Sequence, residues 1–283
     1  MQRDFADTGA AGITEDAARS WIAGLVSENR SAQTVREVWL SASRSVFSWA
    51  ARHKHIGKNP FADVKVDLPK RSRNRETKAF KSEEVLLILR ASLAYEQPRT
   101  ARDRARRWAM WLCAYSGARA GEITQLRGSD VEPRGKFYVM KLTPDAGTIK
   151  TRQTRIVPIH EHIIAQGFLG IVRRVGNGPL FYNPNDRPRA KVDPLKPSRS
   201  RAATARAHLS DWIRKLGVKD PEVSPTHAWR HTFKQKAARN GIAENVHDEI
   251  TGHAPASEGR KYTKPTVEDM AAALKKFPRY RLD

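Results

Sequence analysis

Apolar residues recur at helical spacing along most of this 283-residue chain. Thr14 followed by Glu15 and Asp16 has the form of a helix cap with acids at the positive end of the dipole, and Ala18, Trp21, Ile22 and Leu25 then line one face. A second helix is expected from about Thr34 to His53, where Val35, Val38, Trp39, Ala42, Val46, Trp49 and Ala50 recur until Gly57 and Pro60 stop it. Residues 1–13 are small and polar without a period and are expected to form a flexible tail. Further on, Ser82-Glu83-Glu84 caps a helix that turns Val85, Leu86, Ile88, Leu89 and Leu93 inward, and another covers about Ala105 to Ser116. The pattern then changes. Lys136 to Leu142 and Arg155 to Ile159 are rich in β-branched and aromatic residues around a Pro144–Gly147 turn, which predicts a small antiparallel sheet. Helices return through Ala205, Leu209, Trp212, Ile213 and Leu216, then Trp229, Phe233 and Ala237, then a short one near Val246 and Ile250. Thr266, Glu268 and Asp269 open a last helix, in which Val267, Met270, Ala271, Leu274 and Phe277 form a stripe that must be buried, on its own domain or on a neighbouring subunit.

The expected fold is therefore mainly α with a small antiparallel β-sheet. A chain of this length favours two domains. The division falls where the apolar period lapses: Lys65, Lys70, Arg71, Arg73, Arg75, Lys78 and Lys81 there meet only Asp67 and Glu76. This gives a helical domain at 14–66, a basic linker at 67–78 and a larger domain with a C-terminal helix at 79–283. The linker is either a solvated strand or a segment lying along phosphates, with Lys70, Arg71, Arg73, Arg75 and Lys78 as the DNA-binding candidates.

Charge sharpens the choice of partner. Lysine and arginine number 52 against 30 acids, a formal charge of +22. So large an excess repels itself in the compact state unless a polyanion neutralises it, and nucleic acid is the expected ligand. One cysteine, Cys113, excludes an intrachain disulfide and a multi-cysteine zinc site, and its apolar neighbours make it core filler. No stretch approaches the roughly 18 apolar residues of a membrane span, and no secretory signal opens the chain, so a cytoplasmic, nucleoid-associated location is expected, with no membrane partner.

Six polar residues stand out by type and order: Arg119 in Ser-Gly-Ala-Arg-Ala-Gly-Glu122, Lys150, His227 and Arg230 in His-Ala-Trp-Arg-His231, His253 in Thr-Gly-His, and Tyr262. Breaking a phosphodiester needs a nucleophile, neutralisation of the non-bridging oxygens and a proton for the departing oxygen. Arginine suits the oxygens, because its planar fork donates two hydrogen bonds and stays charged, and Arg119 and Arg230 fit that role. His227 and Arg230 stand three apart on an expected helix and share a face. A tyrosine, with a pKa near 10, needs neighbouring cations to become a nucleophile. Each residue also has a plainer reading: Tyr262 as packing, Arg119 and Glu122 as an ion pair, His231 as part of a structural shell. His160, His162 and His247 have no arguable role, and no acidic cluster or phosphate-binding loop suggests a metal or nucleotide, so no cofactor is expected.

The order Arg, Lys, His-x-x-Arg, Gly-His, Tyr, with nine positions from His253 to Tyr262, resembles the catalytic set of the tyrosine recombinases of the phage-integrase family. The resemblance spans about residues 14–275 and includes Lys58-Asn-Pro-Phe61 at the end of a part similar to the family's core-binding (SAM-like) domain. It departs from the usual pattern at Ala118, where leucine is common, and at Ala228-Trp229, where Asp-Leu is common. The resemblance implies two halves clamped on duplex DNA and a homotetramer acting at two recombination sites, with DNA-bending accessory proteins. Strand cleavage by Tyr262 would give a 3′-phosphotyrosine and a free 5′-hydroxyl. It implies that His227 helps to take the tyrosine proton, that His253 hydrogen-bonds the phosphate, and that Lys150, with Lys141 as the fallback, is the general acid. A type IB topoisomerase and a non-catalytic DNA-binding regulator are the rival readings. The resemblance also raises an N-terminal arm-binding domain ahead of the 13-residue tail.

Overall fold

A computed structural model describes residues 5, 8–27, 30–68, 75–143, 154–186, 199–253 and 264–282. The chain divides into two compact units, Met1–Asn74 and Arg75–Asp283.

In the first unit the Glu15–Gly24 helix is capped by Thr14, whose hydroxyl accepts from Ala17 N at 3.2 Å. A second helix runs through contiguous segments, Ala32–Thr34, Val35–Leu40 and Ser41–Arg52, the middle one a π-helical turn. That turn corrects the expected inward face. Val35, Leu40 and Phe47 are buried with Ala18, Ile22, Ile56, Phe61 and Val64, whereas Val38, Val46 and Trp49 are 57%, 62% and 54% exposed. The wider turn moves the inward position from the i+4 to the i+5 residue, so part of the stripe read with a 3.6 period turns to solvent. Asn59 fixes the end of the unit: its Nδ2 donates to Arg44 O (3.1 Å) and Ser48 Oγ (2.9 Å), and its Oδ1 accepts from Phe61 N (2.9 Å). The expected tail holds a short 3-10 turn at Ala10–Gly12, and Phe5 meets Trp21 edge-on at 6.0 Å.

The second unit is mostly helical. Its early helix starts before the expected Ala105, as contiguous segments Ala101–Arg104, Ala105–Ala109 and Met110–Ser116, because Thr100 caps Asp103 N. The sheet is three-stranded and antiparallel in the order β1 (Val131–Arg134), β2 (Phe137–Leu142) and β3 (Arg155–Pro158). The pairing of β2 with β3 has Met140 opposite Val157. β1 escapes a propensity reading because Val-Glu-Pro-Arg carries two charges and a proline, which only an edge strand tolerates. The Pro144–Gly147 turn lies outside the described residues. The helices Ala120–Thr124, Glu161–Ala165 and Phe168–Val175 were not expected. The Arg201–Lys215, Ala228–Arg239 and Glu244–Thr251 helices follow the three apolar patterns read in that region.

The last helix, Val267–Leu274, is capped by Thr266 and buries Met270 and Leu274, and with them Phe277 just beyond its end, in its own unit. Phe277 stacks on Phe233 at 5.0 Å, and Tyr280 N donates to Tyr115 Oη at 2.9 Å. In the single chain the stripe packs within its own unit. Among the described residues no helix is long and apolar enough to cross a membrane.

Candidate active site

Arg119 sits where the chain leaves one helix and enters the next. Gly117 ends the Met110–Ser116 helix at φ +59°, and an added Cβ there would lie 2.8 Å from Phe233 Cδ1 and from Thr251 Cγ2, so only glycine lets these segments close. Arg119 then caps the Ala120–Thr124 helix, its N–H donating to Glu122 Oε2 (2.9 Å) and its Nη1 to Glu122 Oε1 (2.9 Å). Buried Glu122 is gripped from the other side by Arg155, with Nη1 at 3.1 Å and Nη2 at 2.7 Å. Burial opposes ionisation of Glu122, but the hydrogen bonds and charge of Arg155, and then Arg119, outweigh it and hold the pKa below the usual carboxylate value. The Arg119–Glu122 ion pair therefore exists, as one arm of a shared carboxylate that also locks β3 in place.

Arg230 projects from the first turn of the Ala228–Arg239 helix and is 3% exposed. Its Nη1 donates to Gly117 O at 3.1 Å and, closely, to Thr251 O. Among the described residues its Nη2 is buried with no hydrogen-bond partner and no carboxylate pairs with it. Burial first, then the charge of Arg119, lowers its pKa to about 10, so it stays protonated at neutral pH. A buried cation with an unused donor is costly alone and is matched by an incoming anion.

Two imidazoles flank it. His227 is the N-cap residue of the same helix and meets His231 edge-on at 5.2 Å. Burial, then His231, Arg230, Arg119 and Lys78, keep its pKa below the ordinary value. His253 follows Gly252, where an added Cβ would lie 2.8 Å from Arg155 Nη1. Its Nδ1 is 3.0 Å from Thr251 Oγ1. Burial, then Arg230 and Lys234, lower its pKa to about 4 against the pull of Asp248. Four candidates, Arg119, His227, Arg230 and His253, thus share one cationic region with both histidines neutral. Lys150 and Tyr262 lie outside the described residues, and the fallback Lys141 is exposed on β2. Ala118, Ala228 and Trp229 are buried, with Trp229 Nε1 donating to Met110 Sδ at 3.2 Å.

The basic segment is corrected in part. Arg75 is no free phosphate contact: its Nη2 donates to Glu84 Oε2 (2.6 Å) and its Nη1 to Asp220 Oδ2 (2.9 Å), with its side chain 6% exposed. Thr77 accepts from Gln235 Nε2 (2.7 Å) and Phe80 N donates to Thr232 Oγ1 (2.9 Å), so residues 75–80 run pinned along the Ala228–Arg239 helix. Lys78 is exposed there, close enough to depress both His227 and His231. Lys70, Arg71 and Arg73 lie outside the described residues. Sequence reasoning gave no role to Arg155 on β3, to Lys234 on the Ala228–Arg239 helix, or to Asp248 and Thr251 on the Glu244–Thr251 helix, because their contacts form only when these three elements meet.

The phage integrase family model matches residues 78–269. The chain is 28% identical over 255 residues to tyrosine recombinase XerC of Rhodospirillum centenum, covering 89% of this chain and 68% of that one. It is 25% identical over 210 residues to tyrosine recombinase XerA of Pyrococcus furiosus, covering 72% and 67% respectively. Among solved structures, the XerH site-specific recombinase bound to difH substrate aligns with a TM-score of 0.54 at 18% identity, over 96% of this chain and 74% of that one. The Tn1549 transposon integrase in complex with circular intermediate DNA aligns with a TM-score of 0.53 at 16% identity, over 92% and 84%. At these identities the structural likeness speaks for the fold. The chain belongs to the phage integrase family, the tyrosine recombinases, enzymes that cleave and rejoin DNA.

Proposed function

We propose that this chain is a site-specific DNA recombinase in which Tyr262 attacks the scissile phosphate of duplex DNA. The tyrosine oxygen bonds to phosphorus as the bond to the 5′-oxygen breaks, leaving a 3′-phosphotyrosine and a free 5′-hydroxyl that a partner strand replaces. Arg119 and Arg230 neutralise the non-bridging oxygens. His227, neutral at working pH, takes the tyrosine proton, His253 contacts the phosphate, and Lys150 gives a proton to the departing oxygen. The new ester retains the energy of the old one, so no nucleotide is consumed. Lys78, with Lys70, Arg71 and Arg73, follows the DNA backbone. The acting form is a homotetramer on two sites, helped by DNA-bending proteins, in the nucleoid.

The observation that carries this reading is Arg230, a buried guanidinium with a donor and no carboxylate matched to it among the described residues, beside Arg119 and two neutral histidines. A DNA substrate nicked near the scissile phosphate traps the covalent step. The wild-type protein should form an SDS-resistant adduct, and Tyr262→Phe should bind the same DNA without forming one. Adduct formation by Tyr262→Phe would overturn the assignment.

A further inference from the structure

Thr251, the threonine of the Thr-Gly-His motif, is fully buried and touches three parts of the site. Its carbonyl accepts from Arg230 Nη1, and its methyl lies against Gly117, whose hypothetical Cβ would meet Thr251 Cγ2 at 2.8 Å. Its hydroxyl stands 3.0 Å from His253 Nδ1 and 3.1 Å from Asp248 O. A hydroxyl has one proton to give, and these two acceptors compete for it.

The Asp248 carbonyl is already occupied. It accepts from Gly252 N at 2.8 Å and from His253 N at 2.9 Å, one hydrogen bond for each lone pair. The Asp248 carboxylate is not at hydrogen-bond distance from the ring, since its Oδ1 is 3.7 Å from His253 Nδ1 and is held by Lys234 Nζ at 2.8 Å and His247 Nδ1 at 3.2 Å. His253 Nδ1 therefore has no acceptor for a proton of its own among the described residues except the Thr251 oxygen, whose proton has no better place to go than Nδ1.

We propose that Thr251 donates its hydroxyl proton to His253 Nδ1 and so fixes the neutral imidazole as its Nε2–H tautomer, with that proton offered to the scissile phosphate. The ligand in this statement rests on the proposed function, but the tautomer is a property of the free protein. The groups facing the ring are Arg119, Arg230 and Lys234, which with burial keep it neutral, and Asp248, which opposes them. A neutral imidazole is a donor or an acceptor at Nε2 according to its tautomer alone. Thr251 is thus a positioning residue, which acts through His253.

Nitrogen-15 NMR of the free, labelled protein at neutral pH reads the tautomer directly, with the His253 signals assigned by their loss in His253→Gln. Wild type and Thr251→Ser should show an unprotonated, hydrogen-bonded Nδ1 and a protonated Nε2. Thr251→Val preserves shape but has no hydroxyl, so the ring can turn a proton on Nδ1 toward the Asp248 carboxylate, and the Nδ1–H population should rise. A wild-type ring carrying its proton on Nδ1, or identical His253 signals in wild type and Thr251→Val, would overturn the proposal. On the nicked substrate, Thr251→Val should slow adduct formation by about tenfold to a hundredfold at unchanged DNA affinity, while Thr251→Ser retains the rate. Adduct formation by Thr251→Val at the wild-type rate would also count against it. If no variant and no wild-type protein forms an adduct, the proposed function fails while the NMR result still decides the tautomer.

Discussion

Arg75 and Arg230 are both arginines of the second unit, yet their surroundings are opposite. Every nitrogen of Arg75 is matched: Nε donates to Thr77 O, Nη1 to Glu84 and Asp220, and Nη2 to Ala79 O and Glu84. Hydrogen bonding to Glu84 raises its pKa above the ordinary arginine value, against the effect of burial. Arg230 has two carbonyls on Nη1 and, among the described residues, no partner on Nη2 and no carboxylate, and its pKa is lowered. Arg230, 3% exposed, is the more deeply buried of the two, yet it is the one left without a described carboxylate. A matched cation is part of the fold, whereas an unmatched one is a site for an anion that arrives later.

Substitution should separate them further. Arg230→Lys loses the planar fork at the anion site, and adduct formation should fall by about two to three orders of magnitude, with the midpoint of urea unfolding close to that of wild type. A variant that unfolds instead would make Arg230 structural, like Arg75. Arg75→Met leaves Glu84 and Asp220 without their shared cation and the Thr77 and Ala79 carbonyls without their donor, and should destabilise the second unit by about 1–3 kcal/mol in the same urea experiment. The slope of log K for DNA against log salt should not move in Arg75→Met, whereas Lys78→Ala should flatten it by about one unit. A slope change in Arg75→Met would restore that residue as a phosphate contact.

The smallest effect per group is a pH dependence. Burial is the leading cause that holds His160, His162, His227, His231, His247 and His253 below the ordinary imidazole pKa. The unfolded chain takes up these protons near pH 6.5, and the folded chain only at lower pH, down to about 4 for His253. The unfolded state binds more protons across that window, so stability rises with pH there. It should be complete above about pH 6.5 and decline as pH falls toward 4. Glu84, Glu122, Asp220 and Asp248, also shifted down, act in the same direction at lower pH. Unfolding midpoints that stay level between pH 7 and pH 5 would contradict this.

What could be read from sequence followed locality. Thr14 and Thr266 sit beside the groups they cap, and the Trp229, Phe233 and Ala237 spacing lies on one helix, so these elements were legible. The Val38, Val46 and Trp49 face was misread because a π-turn changes the period without any residue type announcing it. In the site, residue types and order pointed to Arg119, His227, Arg230 and His253, which the fold gathers from three separate stretches. Arg75 looked like the other cations of its run, since its partner Asp220 is 145 positions away. Glu122 was visible as a partner for Arg119, but its second grip by Arg155, 33 residues on, was not.

The identity of the nucleophile decides the chemistry. Wild-type protein trapped on a nicked substrate can be digested with nuclease and protease, and the peptide that retains a nucleotide located by tandem mass spectrometry. The expected product is a nucleotide 3′-phosphate esterified to the phenolic oxygen of Tyr262. The same modification on any other residue, with Tyr262 recovered unmodified, would contradict it.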